Sequence, residues 1–436
     1  MIILISIIYF FIQSYLILTT NIQVPPEIYL FSWLIQKGLL PYRDFFDHHG
    51  FLLYFVFSPI ANDLSFSAYK WIYFLFQSIN LLLFLSILRK ISSKGTFFLV
   101  GFLFVLMNYF ISENFVWYEV VITTLFLLAY AITFGKVTAG KSIALGFVAL
   151  SASFIKPPAG LLFIPILFFT KRIHSFLIIL LGWELLFLYF SYKNSLSQLV
   201  FSLFTFNRHL FLNYDRIVRT DLTAYFLFGM GLLVVAIFKI LRKKTIKNDS
   251  FLIMTLLLST VFLLTNVLKL HFLPFITFAF LVYGRSFKSM KGTGRFLFLC
   301  FLFFYTGLIL RKTIHLYRTL RSLPQREEFI DTQKIYPLLS HFQIENRRFY
   351  ILNNHTIEYL HYDVLPPTYL PLYFPLIDSY YPQYEETIVS DLIKNDIRIA
   401  IRKKEEMGYP RLPTIENFLG KKFINVEDYP TFILYY

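Results

Sequence analysis

The sequence is poor in charge and almost without cysteine, and each shortage removes a class of answers. Of its 436 residues only 15% are charged, against 57% hydrophobic and 20% aromatic, where a soluble domain carries about 25% charged residues. A soluble protein with a large core would still need polar faces on its helices. Most apolar runs here have none, so they read as membrane spans of roughly 17–25 residues. The single cysteine, Cys300, excludes an internal disulfide and a cysteine metal site, and its apolar surroundings suggest a packing residue. Acids are also few, 26 against 41 Lys and Arg, for a net charge of +15. That excess does not point to nucleic acid, because the cations are scattered in short clusters between apolar runs, as the positive-inside rule writes them. The first residues, MIILISIIYFFIQSYLILTT, lack a basic n-region and a small-residue cleavage site, so a retained first span is expected rather than a signal peptide.

What is present is a regular alternation. About eleven spans are expected, at roughly 2–20, 67–88, 97–112, 117–134, 142–155, 158–170, 175–192, 222–241, 251–268, 272–284 and 296–310. Lys156, Pro157 and Pro158 interrupt the fifth and sixth, which predicts a membrane hairpin with a shallow tip. Loops rich in Lys and Arg, such as those with Arg89, Lys90 and Lys94 or with Arg242, Lys243 and Lys244, alternate with poorer ones. The rich set is expected in the cytoplasm. The N-terminus is then inside, while residues 21–66, 193–221 and everything after 311 lie outside. Within 21–66, PPEIYLFSWLIQKG and FLLYFVFSPI are expected to form helices lying along the membrane surface. Composition shifts near residue 322. RRFYILNN and DIRIAIRK read as strands, TIEYLH and YEETIVSDLIKN as helices, so a small extracytoplasmic α/β domain is expected over 322–436, after a transmembrane domain over 1–321. That domain shows no glycine-rich phosphate loop.

Ionisable groups gather on the expected outer face. PYRDFFDHH crowds Arg43, Asp44, Asp47, His48 and His49 into one turn beside lipid, where charge is costly and tends to serve function; a local Arg–Asp surface pair is the plain alternative. Glu27 opens the first surface helix, where it also suits the helix dipole. Glu119 stands at the outer end of a span, with Glu113 nearby. Lys156, Arg208, His209, Tyr214, Arg216, Arg219, Lys269 and His271 make a basic and aromatic group able to hold phosphate, though each alone could be a headgroup-level residue. Acids and cations at an outer interface suit transfer of a sugar from a lipid phosphate. One carboxylate takes the acceptor proton, and positive charge steadies the leaving phosphate.

These features resemble the GT-C superfamily of integral membrane glycosyltransferases, over roughly residues 1–310 in layout. The nearest relatives look like the bacterial branch of lipid A aminoarabinose transferases, protein O-mannosyltransferases and lipopolysaccharide core transferases. The resemblance is sharpest in GLLPYRDFFDHHGFLLY, similar to a first outer loop written Gly-x-x-Pro-Tyr-x-Asp-Phe-x-Asp-His-Lys-Pro-Pro-x-x-Tyr. SFIKPPAGLLFIPILFF resembles the family's Lys-Pro hairpin, KLHFLPFI its late outer-face His segment, and TFNRHLFLNY is a looser match. The resemblance implies a polyprenyl-phosphate-sugar donor, a lipid, glycan or protein acceptor, membrane lipids as surroundings, and a C-terminal α/β domain outside the cytoplasmic membrane. It implies a catalytic acid just after the first span, often in an Asp-Glu pair; here that place reads PPEIY and holds Glu27 alone. His49 and Gly50 stand where the family keeps Lys and Pro, which leaves the phosphate to Arg43 or Lys156.

The expected catalytic residues are therefore Asp44 first, then Glu27 and Asp47. Arg43, His48, His49, Glu119, Lys156 and His271 are the expected substrate contacts. No His/Asp/Glu spacing makes a strong metal signature; a divalent metal is left open as the one cofactor. A transporter or lipid flippase is the competing reading, although no internal repeat is evident and the acids cluster at span ends rather than mid-span. A non-catalytic assembly protein is the third.

Overall fold

The computed structural model describes residues 1–136, 138–170, 173–213, 234, 237, 247–262, 269–288, 290, 292–322, 332–341, 347–352, 356–374, 377–381, 383–404, 412–429 and 432–436. The expected span at 222–241, the basic groups at Lys171–Arg172 and Arg242–Lys244, and the candidates Tyr214, Arg216 and Arg219 lie outside the described residues. Along the chain the helices begin with α1 (Ile2–Leu18), α2 (Pro26–Gln36), α3 (Leu52–Phe57), α4 (Ser67–Ile91), α5 (Lys94–Ser112) and α6 (Tyr118–Ile132). They continue with α7 (Ala139–Ile155), α8 (Phe163–Thr170), α9 (Ile173–Tyr192), α10 (Leu196–Val200) and α11 (Asn207–Asn213). After these come α12 (Lys247–Ser259), α13 (Phe272–Phe287), α14 (Gly292–Ser322) and α15 (Thr332–His341). The last are α16 (Ile357–His361), α17 (Ile377–Tyr380), α18 (Tyr384–Lys394) and α19 (Pro413–Lys422), among the strands β1 (Phe349–Leu352), β2 (Ile399–Lys403), β3 (Val426–Asp428) and β4 (Phe432–Tyr435). The chain folds into two compact units. One holds Met1–Gln23, Ser67–Tyr189 and Tyr214–Gln325; the other holds Val24–Phe66, Phe190–Asn213 and Arg326–Tyr436.

The first unit is helical. Among the described residues, five helices are long and apolar enough to cross a membrane: Ser67–Ile91, Lys94–Ser112, Ile173–Tyr192, Lys269–Phe287 and Gly292–Ser322. Shorter apolar helices accompany them, Ile2–Leu18 and Ala139–Ile155 among them. Because lipid is as apolar as leucine, small residues and buried amides hold such helices together. A Cβ on Gly284 would stand 2.4 Å from Leu88 Cδ1, so a larger residue there would push the Leu88 side chain aside where α13 meets α4. Between α1, α4 and α5, Gln13 Nε2 donates to Gln77 O at 2.9 Å and Asn108 Nδ2 donates to Gln77 Oε1 at 2.7 Å. The hairpin break falls where proline places it. α7 ends at Ile155, Lys156 is extended (φ −152, ψ 115), and a 3-10 turn over Pro157–Leu162 leads into α8. The residue before proline is pushed out of the helical region. Cys300 is exposed on α14 rather than packed inside.

The second unit contains the small mixed sheet expected near the C-terminus. Its order is β1-β2-β4-β3, with β1 parallel to β2 and the other pairs antiparallel. Every residue of β1 is buried, as in a strand covered on both faces. PPEIYLFSWLIQKG does form a helix, with Pro26 in its first turn. It is not a surface helix, however. Ile28 through Leu34 are all buried, and a helix buried all round belongs to a core, not to an interface. α3 keeps an open face, with Phe55 and Val56 exposed.

Candidate active site

In the second unit the site begins where α2 stops. Gly38, at φ +85, sends its N–H to Ile35 O at 2.9 Å, and Leu39 N–H reaches Leu34 O at 3.0 Å. This double closure satisfies the last carbonyls of the helix and turns the chain into Leu40–Gly50. There Leu40 N–H donates to Asp44 Oδ2 at 2.7 Å and Asp44 N–H to Leu40 O at 2.9 Å, with Tyr42 held at φ +66. Arg43 grips the same carboxylate by a fork, Nε to Oδ1 at 2.9 Å and Nη2 to Oδ2 at 2.7 Å. Burial works to raise the Asp44 pKa, but the Arg43 hydrogen bonds, the Leu40 amide and the charges of Arg43 and Arg347 outweigh it and leave it lowered.

Asp47 is fully buried. Its Oδ2 accepts from Tyr54 Oη at 2.7 Å, and its Oδ1 lies 3.2 Å from His49 Nδ1. Burial pushes its carboxyl up to about 6, against the charge of His48, the Tyr54 hydroxyl and the backbone N–H groups of His49 and His48. The two imidazoles lie 3.9 Å apart between centroids. Their backbone is pinned: Tyr42 Oη donates to His49 O at 2.7 Å and Asn207 Nδ2 to His48 O at 2.6 Å. Phe46 N–H also donates to Tyr369 O at 2.7 Å, so α11 and the C-terminal segment both hold this loop. Glu27, half-buried in the first turn of α2, is pushed up to about 7, by burial first; its own backbone N–H opposes the rise and the Asp47 charge adds to it.

Asp47, His48 and His49 each offer one ligand atom, and these atoms lie within 4.8 Å of one another. One carboxylate oxygen with two imidazole nitrogens suits a divalent transition metal. The residues present therefore fit such an ion.

The first unit has its own cluster, built at helix ends. Glu119 lies in the first turn of α6 and Lys156 caps the C-terminus of α7, each on the side that its helix dipole favours. His271 closes the 3-10 turn Lys269–His271 ahead of α13. One oxygen gathers both cation-forming groups: Lys156 Nζ donates to Glu119 Oε1 at 2.8 Å, and His271 Nδ1 lies 2.6 Å from the same atom. Glu119 is fully buried, and its Oε2 finds no hydrogen-bond partner among the described residues. Beside it, Lys269 Nζ donates to Glu113 Oε1 at 2.5 Å and stands 3.4 Å from the centroid of the Phe110 ring.

The sequence candidates thus sort into three sets. Asp47, His48 and His49 meet, and the charge of Asp47 reaches Glu27. Asp44 and Arg43 form the local pair that was the plain alternative for that turn. Glu119, Lys156 and His271 form a triad in the other unit. Tyr54 and Asn207 were given no role from the sequence. The signal for Tyr54 was there, since it occupies the final tyrosine of the first-loop pattern, seven residues after Asp47. Asn207 lies in TFNRHLFLNY, but nothing local marks its reach to His48.

No protein-family model matches the sequence, and no curated protein matches it either. The fold does match solved structures. The oligosaccharyltransferase of Archaeoglobus fulgidus, tethered with an acceptor peptide containing the NVT sequon via a disulfide bond, aligns with a TM-score of 0.55 and 10% identity, over 92% of this chain and 69% of that one. The archaeal oligosaccharyltransferase AglB from the same organism, in complex with an inhibitory peptide and a dolichol-phosphate, gives 0.50 and 10% over 92% and 69%. An Archaeoglobus fulgidus oligosaccharyltransferase complex with Zn and sulfate gives 0.50 and 12% over 92% and 68%. The shared property is the fold.

Proposed function

We propose that this chain is a GT-C-type glycosyltransferase of the cytoplasmic membrane, moving a sugar from a polyprenyl-phosphate carrier to an extracytoplasmic hydroxyl or amine on a lipid, glycan or protein. Its N-terminus would be inside and residues 322–436 outside. The observation that carries the reading is Glu27: a half-buried carboxylate raised to about 7 beside the buried Asp47, within a fold shared with oligosaccharyltransferases. A general base works best with a pKa near the working pH. Asp44 is saturated by Arg43 and Leu40, and Asp47 is enclosed, so Glu27 takes first place among the candidate bases.

In this reading the acceptor O–H or N–H gives its proton to Glu27 as its heteroatom forms the new bond to the anomeric carbon. The sugar–phosphate bond breaks, and its electron pair leaves with the lipid phosphate. Asp47, fixed by Tyr54, holds negative charge near Glu27 and keeps it basic. A divalent ion held by Asp47, His48 and His49 would supply positive charge toward phosphate oxygens; a solved neighbour was obtained in complex with Zn and sulfate. As a separate proposal for the first unit, Lys156 and His271 would bind a lipid phosphate, with Glu119 as the anion whose Oε1 gathers and aims them. Peptide belongs among the acceptors to be tried, because a neighbour was solved with an acceptor peptide.

The test is transfer of labelled sugar from a panel of polyprenyl-phosphate sugars in proteoliposomes. Turnover by the wild-type chain, lost in Glu27→Gln, supports the reading. Vectorial uptake without any covalent product would favour the transporter instead.

A further inference from the structure

In the first unit the part-buried cations have partners within the chain: Lys156 pairs with Glu119, Lys269 with Glu113 and Arg285 with Asp249, while Lys70 and Lys141 donate to backbone carbonyls. The end of α14 breaks that pattern. Over its last turns it carries Arg311, Lys312, Arg318 and Arg321. Among the described residues no carboxylate pairs with any of them. Among the described residues these four cations at the end of an apolar helix have no acid of their own, and an anion from outside the chain would complement them.

Their depth identifies the anion. Phe303, Gly307, Leu310 and Ile314 are exposed along one stripe at helical spacing, and Arg318 and Arg321 continue the same stripe. α14 begins with Arg295 near its other end. At the helical rise, Arg318 and Arg321 stand roughly 35–39 Å beyond Arg295. That is past a hydrocarbon core of about 30 Å and within the roughly 40–45 Å that include the headgroups. There Ile314, Tyr317, Arg318, Arg321 and Ser322 line an open pocket of about 520 Å³. Tyr317 is fixed rather than loose. Its ring stacks on Tyr15 at 5.9 Å between centroids, its hydroxyl donates to Tyr15 Oη at 3.1 Å and accepts from Thr19 Oγ1 at 3.3 Å, and Arg321 reaches the same hydroxyl.

We infer that the C-terminal end of α14, with Arg318, Arg321 and Tyr317, binds the phosphate of an anionic phospholipid while Ile314 and Leu310 lie along its acyl chain. Guanidinium groups hold phosphate oxygens by paired hydrogen bonds, and the apolar stripe that runs into the basic one gives a lipid tail a surface that a water-soluble anion would leave unused. The inference rests on reading α14 as a span and not on glycosyl transfer.

The full-length chain in phosphatidylcholine nanodiscs, with spin-labelled phosphatidylglycerol as the probe, tests it. The wild type should hold phosphatidylglycerol in the motionally restricted population several-fold over spin-labelled phosphatidylcholine, and added salt should weaken this. The double variant Arg318→Gln/Arg321→Gln should lose the preference, and Arg318→Lys/Arg321→Lys should keep most of it. If the glutamine variant does not fold, the lysine variant and the wild-type salt series still decide. No preference in the wild type, or the same preference in the glutamine variant, overturns the inference. Displacement of the probe by stoichiometric polyprenyl phosphate also overturns it, since the surface would then be a carrier-lipid site. Loss of transfer activity with lipid preference intact would speak against the glycosyltransferase reading alone.

Discussion

Lys156 and His271 converge on a single oxygen of Glu119, at 2.8 and 2.6 Å, inside the helical unit. This arrangement leaves the other carboxylate oxygen unused among the described residues. Removing one partner of a buried ion pair costs about 3–5 kcal/mol, because the remaining charge is stranded. Glu119→Gln should therefore melt well below the wild type in detergent, and Glu119→Gln/Lys156→Met should recover part of the loss. If Lys156 and His271 receive a carrier phosphate, polyprenyl phosphate should raise the melting temperature of Glu119→Gln more than that of the wild type. Equal shifts would count against a phosphate role for this triad.

Asp44 and Glu27 should separate cleanly. The Arg43–Asp44 fork is part-exposed, and such pairs are worth about 0.2–1 kcal/mol. Asp44→Asn should retain transfer within a few-fold and lose only a little stability. The pKa of Asp44 is lowered by folding, so its stabilising effect is present above the unfolded carboxylate value of about 3.9 and is lost as pH falls through the lower folded value. Asp44→Asn should accordingly reduce the steepness of acid unfolding, read by tryptophan fluorescence.

Glu27 predicts the opposite linkage. Its folded pKa lies near 7, above the model-compound value of 4.5. The folded chain then holds more protons than the unfolded chain between those values, and stability falls as pH rises across that window. Glu27→Gln should thus be more stable than the wild type at pH 8 while transfer falls by about 10²–10⁴-fold, the usual contribution of a general base. In the wild type kcat/KM should rise with pH through about 7. Asp47→Asn removes a neighbouring negative charge and should shift that limb to lower pH.

Much of this was legible in the sequence, for reasons that particular residues make plain. Apolar runs without polar faces announced the helices, and Pro157 announced the break that frees Lys156, because both are local effects. The alternation of short strands and helices after residue 347 was local too. What could not be read was which charged groups meet. Glu119, Lys156 and His271 are far apart along the chain, and only packing brings them to one oxygen. Nor could the sequence show that Arg43 forks onto Asp44 or that Asp47 is fully buried. The segment from Ile28 to Leu34 looked like a surface helix beside a charged turn, yet its unbroken apolar run belongs to the core of the second unit.

Tyr54 gives a further check. Its hydroxyl is a donor to the buried Asp47, and removing one partner of such a bond costs about 1–3 kcal/mol. Tyr54→Phe should lower stability by that order in a denaturant titration, and it should leave the Asp47 carboxyl harder to ionise. A Tyr54→Phe chain as stable as the wild type would mean that Asp47 does not depend on this bond.

Glu27 is proposed to remove the acceptor proton during sugar transfer from a polyprenyl phosphate. Its most direct test is the rate of labelled-sugar transfer in proteoliposomes by purified wild-type and Glu27→Gln chains, matched for folding by melting temperature. Measurable turnover is expected in the wild type and a loss of at least about 10²-fold in the variant. Equal turnover by both chains would contradict it.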